Sequence, residues 1–123
     1  MNNVFVYDTY AIIEIIKGDE KYKDYLDKKI IINDFIFAEL SYVLIREGYP
    51  DYDKYLKMYM KYVVHVSPEL IKKAMKFRYE NKEKRLSMAD CISYFMAKEF
   101  EIRFLTGDKE FENMEHVEFV KKD

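Results

Sequence analysis

The chain alternates short, largely apolar runs, several of them continuous, with stretches of helical periodicity, and few folds accept that alternation. Val4 to Tyr7 (VFVY), Ile30 to Ile32, Val63 to Val66, Ile102 to Leu105 and Val117 to Val120 read as five strands. Runs that are apolar at successive positions, rather than at every second one, mark strands covered on both faces. The intervening segments carry helix signals. One helix spans Thr9 to Lys17 and stops at Gly18; a second covers Glu20 to Lys28; a third covers Phe35 to Glu47 and ends at Gly48. Asp51 caps a fourth, with Tyr52, Tyr55, Leu56, Tyr59 and Met60 at helical spacing. Ser67-Pro68 opens a fifth, running to Lys82, and Ser87 opens a sixth bearing Met88, Cys91, Ile92, Phe95 and Met96 on one stripe. Strand-helix alternation of this kind predicts a three-layer α/β/α sandwich around a five-stranded parallel sheet.

At 123 residues the chain has room for a single domain, residues 1–123, with a sizeable core. No apolar run approaches the roughly 18 residues of a membrane span, and no export signal precedes the first strand, so a soluble cytoplasmic protein is expected. One cysteine builds neither a disulfide framework nor a thiolate zinc site, which fits a reducing compartment. The three glycines, Gly18, Gly48 and Gly107, are isolated, excluding Walker and dinucleotide loops. The formal charge of -2 conceals a pattern. Residues 1–53 carry 6 basic against 11 acidic side chains, residues 54–85 carry 10 against 3, and residues 86–123 carry 5 against 9. An acidic site and a basic surface can therefore coexist on one molecule.

Right-handed crossovers bring every strand's C-terminal end, and the N-terminus of every intervening helix, to one edge of a parallel sheet, where ligands bind. Four acids map to that edge. Asp8 follows the first strand, Asp108 follows the strand ending near Leu105, and Asp90 lies in the first turn of the helix opened by Ser87. Glu39 lies early in the helix after Ile30 to Ile32, among Phe35, Ile36, Tyr42 and Val43, with no Lys or Arg within a helical turn. Its carboxylate is expected to point inward, where a lone charge is costly. Four converging carboxylates raise one another's pKa, and one or two hard divalent cations, Mg2+ or Mn2+, would relieve that repulsion.

Taken singly, three of these acids have simpler roles. Asp8 can cap the following helix, Asp90 stands at the acidic position of a capping box, and Asp108 after Gly107 is ordinary turn chemistry. Glu39 has no capping role. Cys91 reads as a small core residue, and His65 and His116 lack metal-ligand spacing. Most of the twelve tyrosines fall at helical core positions.

Asp8-Thr9 after the first strand, Phe37-Ala38-Glu39-Leu40 in a helix, Ala89-Asp90 opening a later helix, and Thr106-Gly107-Asp108 with Phe111 together resemble the PIN domain family. The resemblance covers the whole chain in order, and its size is similar to that of the VapC toxins of prokaryotic toxin-antitoxin pairs. It implies strand order 3-2-1-4-5, with the acids Asp8, Glu39, Asp90 and Asp108 and the supporting hydroxyl of Thr106 as the catalytic set. It implies a magnesium- or manganese-dependent endoribonuclease that leaves 5′-phosphate and 3′-hydroxyl ends. Asp8 and Asp90 would be the first metal ligands, with Asp108 and Glu39 completing the site or positioning water. An RNA substrate, an antitoxin protein and a homodimer follow from the same resemblance. Tyr10 departs from it, since many members carry a small polar residue there. The basic residues Lys72, Lys73, Lys76, Arg78, Lys82, Lys84 and Arg85 would hold the RNA backbone.

Other classes fit less well. A phospho-acceptor signalling domain needs an acceptor aspartate where this chain reads Ser67-Pro68-Glu69, and a haloacid-type phosphatase needs a second aspartate at Tyr10. A PIN-like RNA- or protein-binding module without catalysis shares every residue named above; metal-dependent cleavage distinguishes it.

Overall fold

The computed structural model describes residues 3–122. Four parallel strands form one sheet: β1 (Val4–Tyr7), β2 (Lys29–Ile31), β3 (Arg103–Thr106) and β4 (Val117–Phe119), in the order β2-β1-β3-β4. Val6 aligns with Ile31 on one side and Phe104 on the other, and Leu105 aligns with Glu118. The helices are α1 (Thr9–Lys17), α2 (Asp34–Arg46), α3 (Tyr52–Tyr59), α4 (Pro68–Glu80) and α5 (Met88–Glu99). The α/β sandwich is therefore as expected, with one strand fewer.

Val63 to Val66 is not a strand. A single parallel bridge joins Val63 to Ile32, with Val64 N donating to Ile32 O at 2.8 Å. This is the edge place next to β2 that the third strand of a 3-2-1-4-5 order takes. Pairing stops there because Asn33, immediately after Ile32, turns the backbone into α2 by accepting from Phe35 N and Ile36 N. Beyond that one bond the ladder does not continue, and Val64 and Val66 pack against the core. The segment Glu20 to Lys28 is a second correction: it holds a 3₁₀ helix over Glu20–Tyr25 only. Its three-residue period places Tyr22 and Tyr25 on one side, where their rings pack 6.2 Å apart. α4 also ends at Glu80, short of Lys82.

Side-chain alternation along the strands divides the core between the two faces of the sheet. Phe5, Tyr7 and Leu105 pack with Ala11 and Ile12 of α1, Ile36, Leu40 and Leu44 of α2, and Leu56 and Tyr59 of α3. Val6 and Phe104 pack with Leu70 and Ala74 of α4, and Cys91, Ile92 and Met96 of α5. Burying one such Leu or Ile side chain contributes on the order of 1.5–3 kcal/mol. Gly18 closes α1 at φ 80°, a conformation that costs a side-chain-bearing residue, and its N–H bonds back to Ile15 O. Among the described residues, no helix is long and apolar enough to cross a membrane.

Candidate active site

The strand ends and helix starts meet at one edge, and capping chemistry aims the acids. Asp8 leaves β1 in an extended conformation and caps α1, its Oδ1 accepting from Ala11 N at 2.7 Å. Its Oδ2 accepts from the Thr106 hydroxyl at 2.6 Å. Thr106 ends β3 fully buried, and its oxygen in turn accepts from Asp108 N at 3.0 Å. Asp108 caps the short 3₁₀ turn Lys109–Phe111, with Oδ1 accepting from Glu110 N at 2.9 Å. Asp90 is the third residue of α5, its N–H donating to the capping Ser87 hydroxyl at 3.0 Å. Capping and convergence are thus not alternatives, because caps orient side chains at the very edge where a parallel sheet collects its helix N-termini.

Glu39 reaches the same place from α2. Its Oε1 accepts from the Thr9 hydroxyl at 2.7 Å. The inward orientation expected for a fully buried charge is realised only in part: Glu39 is partly exposed, and its compensation is a hydroxyl on α1. Asn33 sets the position of its helix. Besides capping α2 with its carbonyl oxygen, it donates through Nδ2 to the buried Ser93 hydroxyl at 3.0 Å, tying α2 to α5. Neither Thr9 nor Asn33 was assigned such a role from sequence. Thr9 stands in the Asp8-Thr9 pair and Asn33 directly before α2, but the partners that define their roles lie 30 and 60 residues away.

Electrostatics show that the four acids share one field. Asp90 is raised to about 8, first by burial and then by Asp8, Glu39 and Asp108. Asp8 is raised to about 6 by burial, against the opposing pull of Thr106, the Ala11 amide, Lys122 and the Gly107 amide. Burial also leaves the Tyr22 hydroxyl without a hydrogen-bond partner among the described residues; the charge of Asp8 raises its pKa further. Cys91 is buried and its thiol is pushed up to about 11, so it stays protonated in the core. His116 Nδ1 lies 3.2 Å from Ile102 O, and His65 Nδ1 lies 2.9 Å from Asp34 Oδ2 at the surface, both away from the acids in sequence and contact.

All the donors are hard carboxylate oxygens, the chemistry that suits magnesium or manganese. Among the described residues, no three acidic, imidazole or thiol side chains are placed to hold an ion between them.

The basic middle segment divides. Lys72, Lys73 and Lys76 are exposed on α4, Lys72 with its ammonium 3.2 Å from Glu69. Arg78 is used structurally, its Nε donating to Leu86 O at 2.9 Å. Arg78, Lys82 and Arg85 line a groove of about 520 Å³ with Tyr79, and that groove reaches Ser87, the cap of the helix bearing Asp90. Lys82 lies over the Tyr79 ring at 4.5 Å.

Solved structures share this fold. A toxin-antitoxin complex from Klebsiella pneumoniae contains a chain superposing with a TM-score of 0.76 at 16% identity, over 97% of this chain and 99% of that one. VapBC2 from Rickettsia felis, bound to a DNA fragment from its promoter, matches with a TM-score of 0.70 at 17% identity over 98% and 99%. PAE2754 from Pyrobaculum aerophilum matches at 0.67 and 18% identity over 94% and 88%. No curated protein matches the chain in sequence. The PIN domain family model matches residues 5–117, nearly the whole chain and all four acids, and the chain belongs to the PIN domain family.

Proposed function

We propose that this PIN domain is a divalent-metal-dependent endoribonuclease, and that it is the toxin of a toxin-antitoxin pair. The observation that carries the reading is the field at Asp90, which feels Asp8, Glu39 and Asp108 together. Acids that hold up the pKa of a neighbour gain from a cation, and capping alone does not account for the field at Asp90.

Asp8 and Asp90 would hold Mg2+ or Mn2+, with Asp108 and Glu39 completing the site. When bound, the ion supplies an activated water near neutral pH and offsets charge on a phosphodiester. Thr106 fixes Asp8 and Asp108 relative to each other, so two ligands are preorganised by one hydroxyl. Thr9 holds one oxygen of Glu39, leaving the other to position a water or to receive its proton. The groove of Arg78, Lys82 and Arg85 supplies positive charge for an RNA backbone that four acids would otherwise repel.

The toxin assignment rests on the fold shared with toxin-antitoxin structures. α2 and α3 expose Tyr42, Ile45, Tyr52 and Met58, apolar surface of the kind that an antitoxin and a second copy of the chain would cover. The reading places the protein in the cytoplasm with its RNA.

The test uses purified protein and a labelled single-stranded RNA. Cleavage is expected with magnesium or manganese, loss in EDTA, and no recovery with calcium, whose looser coordination does not hold a water in line. Asp8→Asn and Asp90→Asn should each abolish cleavage while retaining the fold by circular dichroism. Full activity of both variants would refute the site, and RNA bound without cleavage under any metal would leave a binding module.

A further inference from the structure

Residues 120–122 return across the acidic edge. Val120 N donates to Thr106 O at 2.9 Å, and Lys21 Nζ donates to Lys121 O at 2.8 Å, so the segment is pinned to β3 and to the 3₁₀ helix Glu20–Tyr25. Gly107 makes that path possible. A Cβ there would stand 2.8 Å from Val120 O and 2.9 Å from Lys122 Cγ, so any side chain would displace the returning backbone. The stem of Lys122 therefore lies along Gly107, between Thr106 and Asp108. Its ammonium sits over the Tyr10 ring, 4.4 Å from the centroid. Tyr10 is in the first turn of α1, two residues from Asp8.

A cation is thus built onto the rim of an acidic site by a glycine, an aromatic ring and two backbone tethers. Its charge favours the ionised form of Asp8. Beside it opens a groove of about 560 Å³ lined by Asp108, Lys109, Lys121 and Lys122, with Glu112 and Phe119. We propose that Lys122 is a substrate-binding residue that takes a phosphodiester flanking the scissile one, with the RNA strand continuing past Lys109 and Lys121. This inference rests on the ribonuclease reading above and adds to it the path of the strand. The π face of Tyr10 orients the ammonium and leaves N–H donors for phosphate oxygens.

The experiment compares the parent with Lys122→Gln, Lys122→Arg and Tyr10→Leu. Binding of a labelled single-stranded RNA is measured with calcium, and steady-state cleavage with manganese. For Lys122→Gln, Kd and KM are expected to rise roughly 3–10-fold, with a smaller change in kcat, and the slope of log Kd against log salt to shrink by about 0.7. Lys122→Arg should restore binding to within about twofold. Tyr10→Leu should weaken binding in the same direction and add little on the Lys122→Gln background. Lys122→Gln should still show a manganese-induced rise in Tm, since the lysine holds no metal. An unchanged Kd and salt slope in Lys122→Gln, or failure of arginine to restore them, overturns the proposal. A parent that binds RNA but never cleaves it overturns the hydrolase reading, while the Kd and slope comparison still decides Lys122. A parent that binds no RNA overturns both.

Discussion

The Thr106 hydroxyl donates to Asp8 Oδ2 at 2.6 Å and joins residues 98 positions apart. The contact exists because β1 and β3 are adjacent and parallel, with Tyr7 aligned to Leu105, so the residues that follow in each strand emerge side by side. Asp8 N donates to Leu105 O at 3.1 Å, which continues the ladder to the site itself. One buried hydroxyl then serves two acids, donating to Asp8 and accepting from the Asp108 amide.

Thr106→Val keeps the shape and removes that donor from a buried carboxylate. Stability at neutral pH is expected to fall by about 1.5–3 kcal/mol, the range for hydrogen bonds to charged groups, with Thr106→Ser recovering most of it. Urea denaturation of the metal-free protein measures both. A Val variant as stable as the parent would mean that the hydroxyl does not support Asp8.

Asp90→Asn removes a carboxyl that burial and its acidic neighbours hold up at about 8, so folding at neutral pH no longer requires a proton to be taken up there. The metal-free variant is expected to be more stable than the parent; a gain of about 1 kcal/mol would raise Tm by roughly 3–6 °C. The extra stabilisation given by saturating manganese should shrink, because the variant lacks one ligand. Retention of the full manganese shift would place Asp90 away from the metal.

Stability should also depend on pH in a defined direction. Asp90 and Asp8 have folded pKa values of about 8 and about 6, raised from 3.8. The folded protein therefore keeps protons that the unfolded chain gives up. The stability these groups contribute is complete below pH 3.8, declines as the unfolded chain ionises, and is gone once the folded values, about 6 and about 8, are passed. The urea midpoint of the metal-free protein should fall from about pH 5 to about pH 8, and Asp90→Asn should flatten the upper part of that fall. A midpoint that rises over this window would contradict the shared field of the acids.

Lys82→Ala combined with Arg85→Ala removes two charges from the groove that reaches Ser87. RNA affinity should fall, and the slope of log Kd against log salt should shrink by about 1.4, since each phosphate neutralised on a single strand adds about 0.7 to it. An unchanged slope would mark the groove as merely solvated.

The acids were legible in the sequence to different degrees. Asp8 follows an apolar run directly and Asp108 follows another after Thr106-Gly107, so a parallel sheet places them at one edge without further information. Glu39 was legible as an anomaly, an acid among apolar helical neighbours, but its partner was not: Thr9 is on another helix. Val63 to Val66 has the composition of a strand yet contributes a single bridge, because the Asn33 cap ends its neighbour after Ile32. Lys122 was invisible as a site residue. Nothing near it in the sequence names Tyr10 or Gly107, which hold it.

Local order is what the sequence by itself determined. Apolar runs, caps and helix-stopping glycines act over a few residues, and their alternation leaves a parallel α/β sheet as the solution that buries the strands on both faces. The tertiary structure decided which strands pair and how far, and therefore which polar groups meet. Asp8 with Thr106, Glu39 with Thr9, Asn33 with Ser93 and Lys122 with Tyr10 all join separate elements. The physical reason is range. A cap or a turn is chosen by neighbours along the chain, whereas burial and a shared electrostatic field depend on the positions of all the packed elements at once.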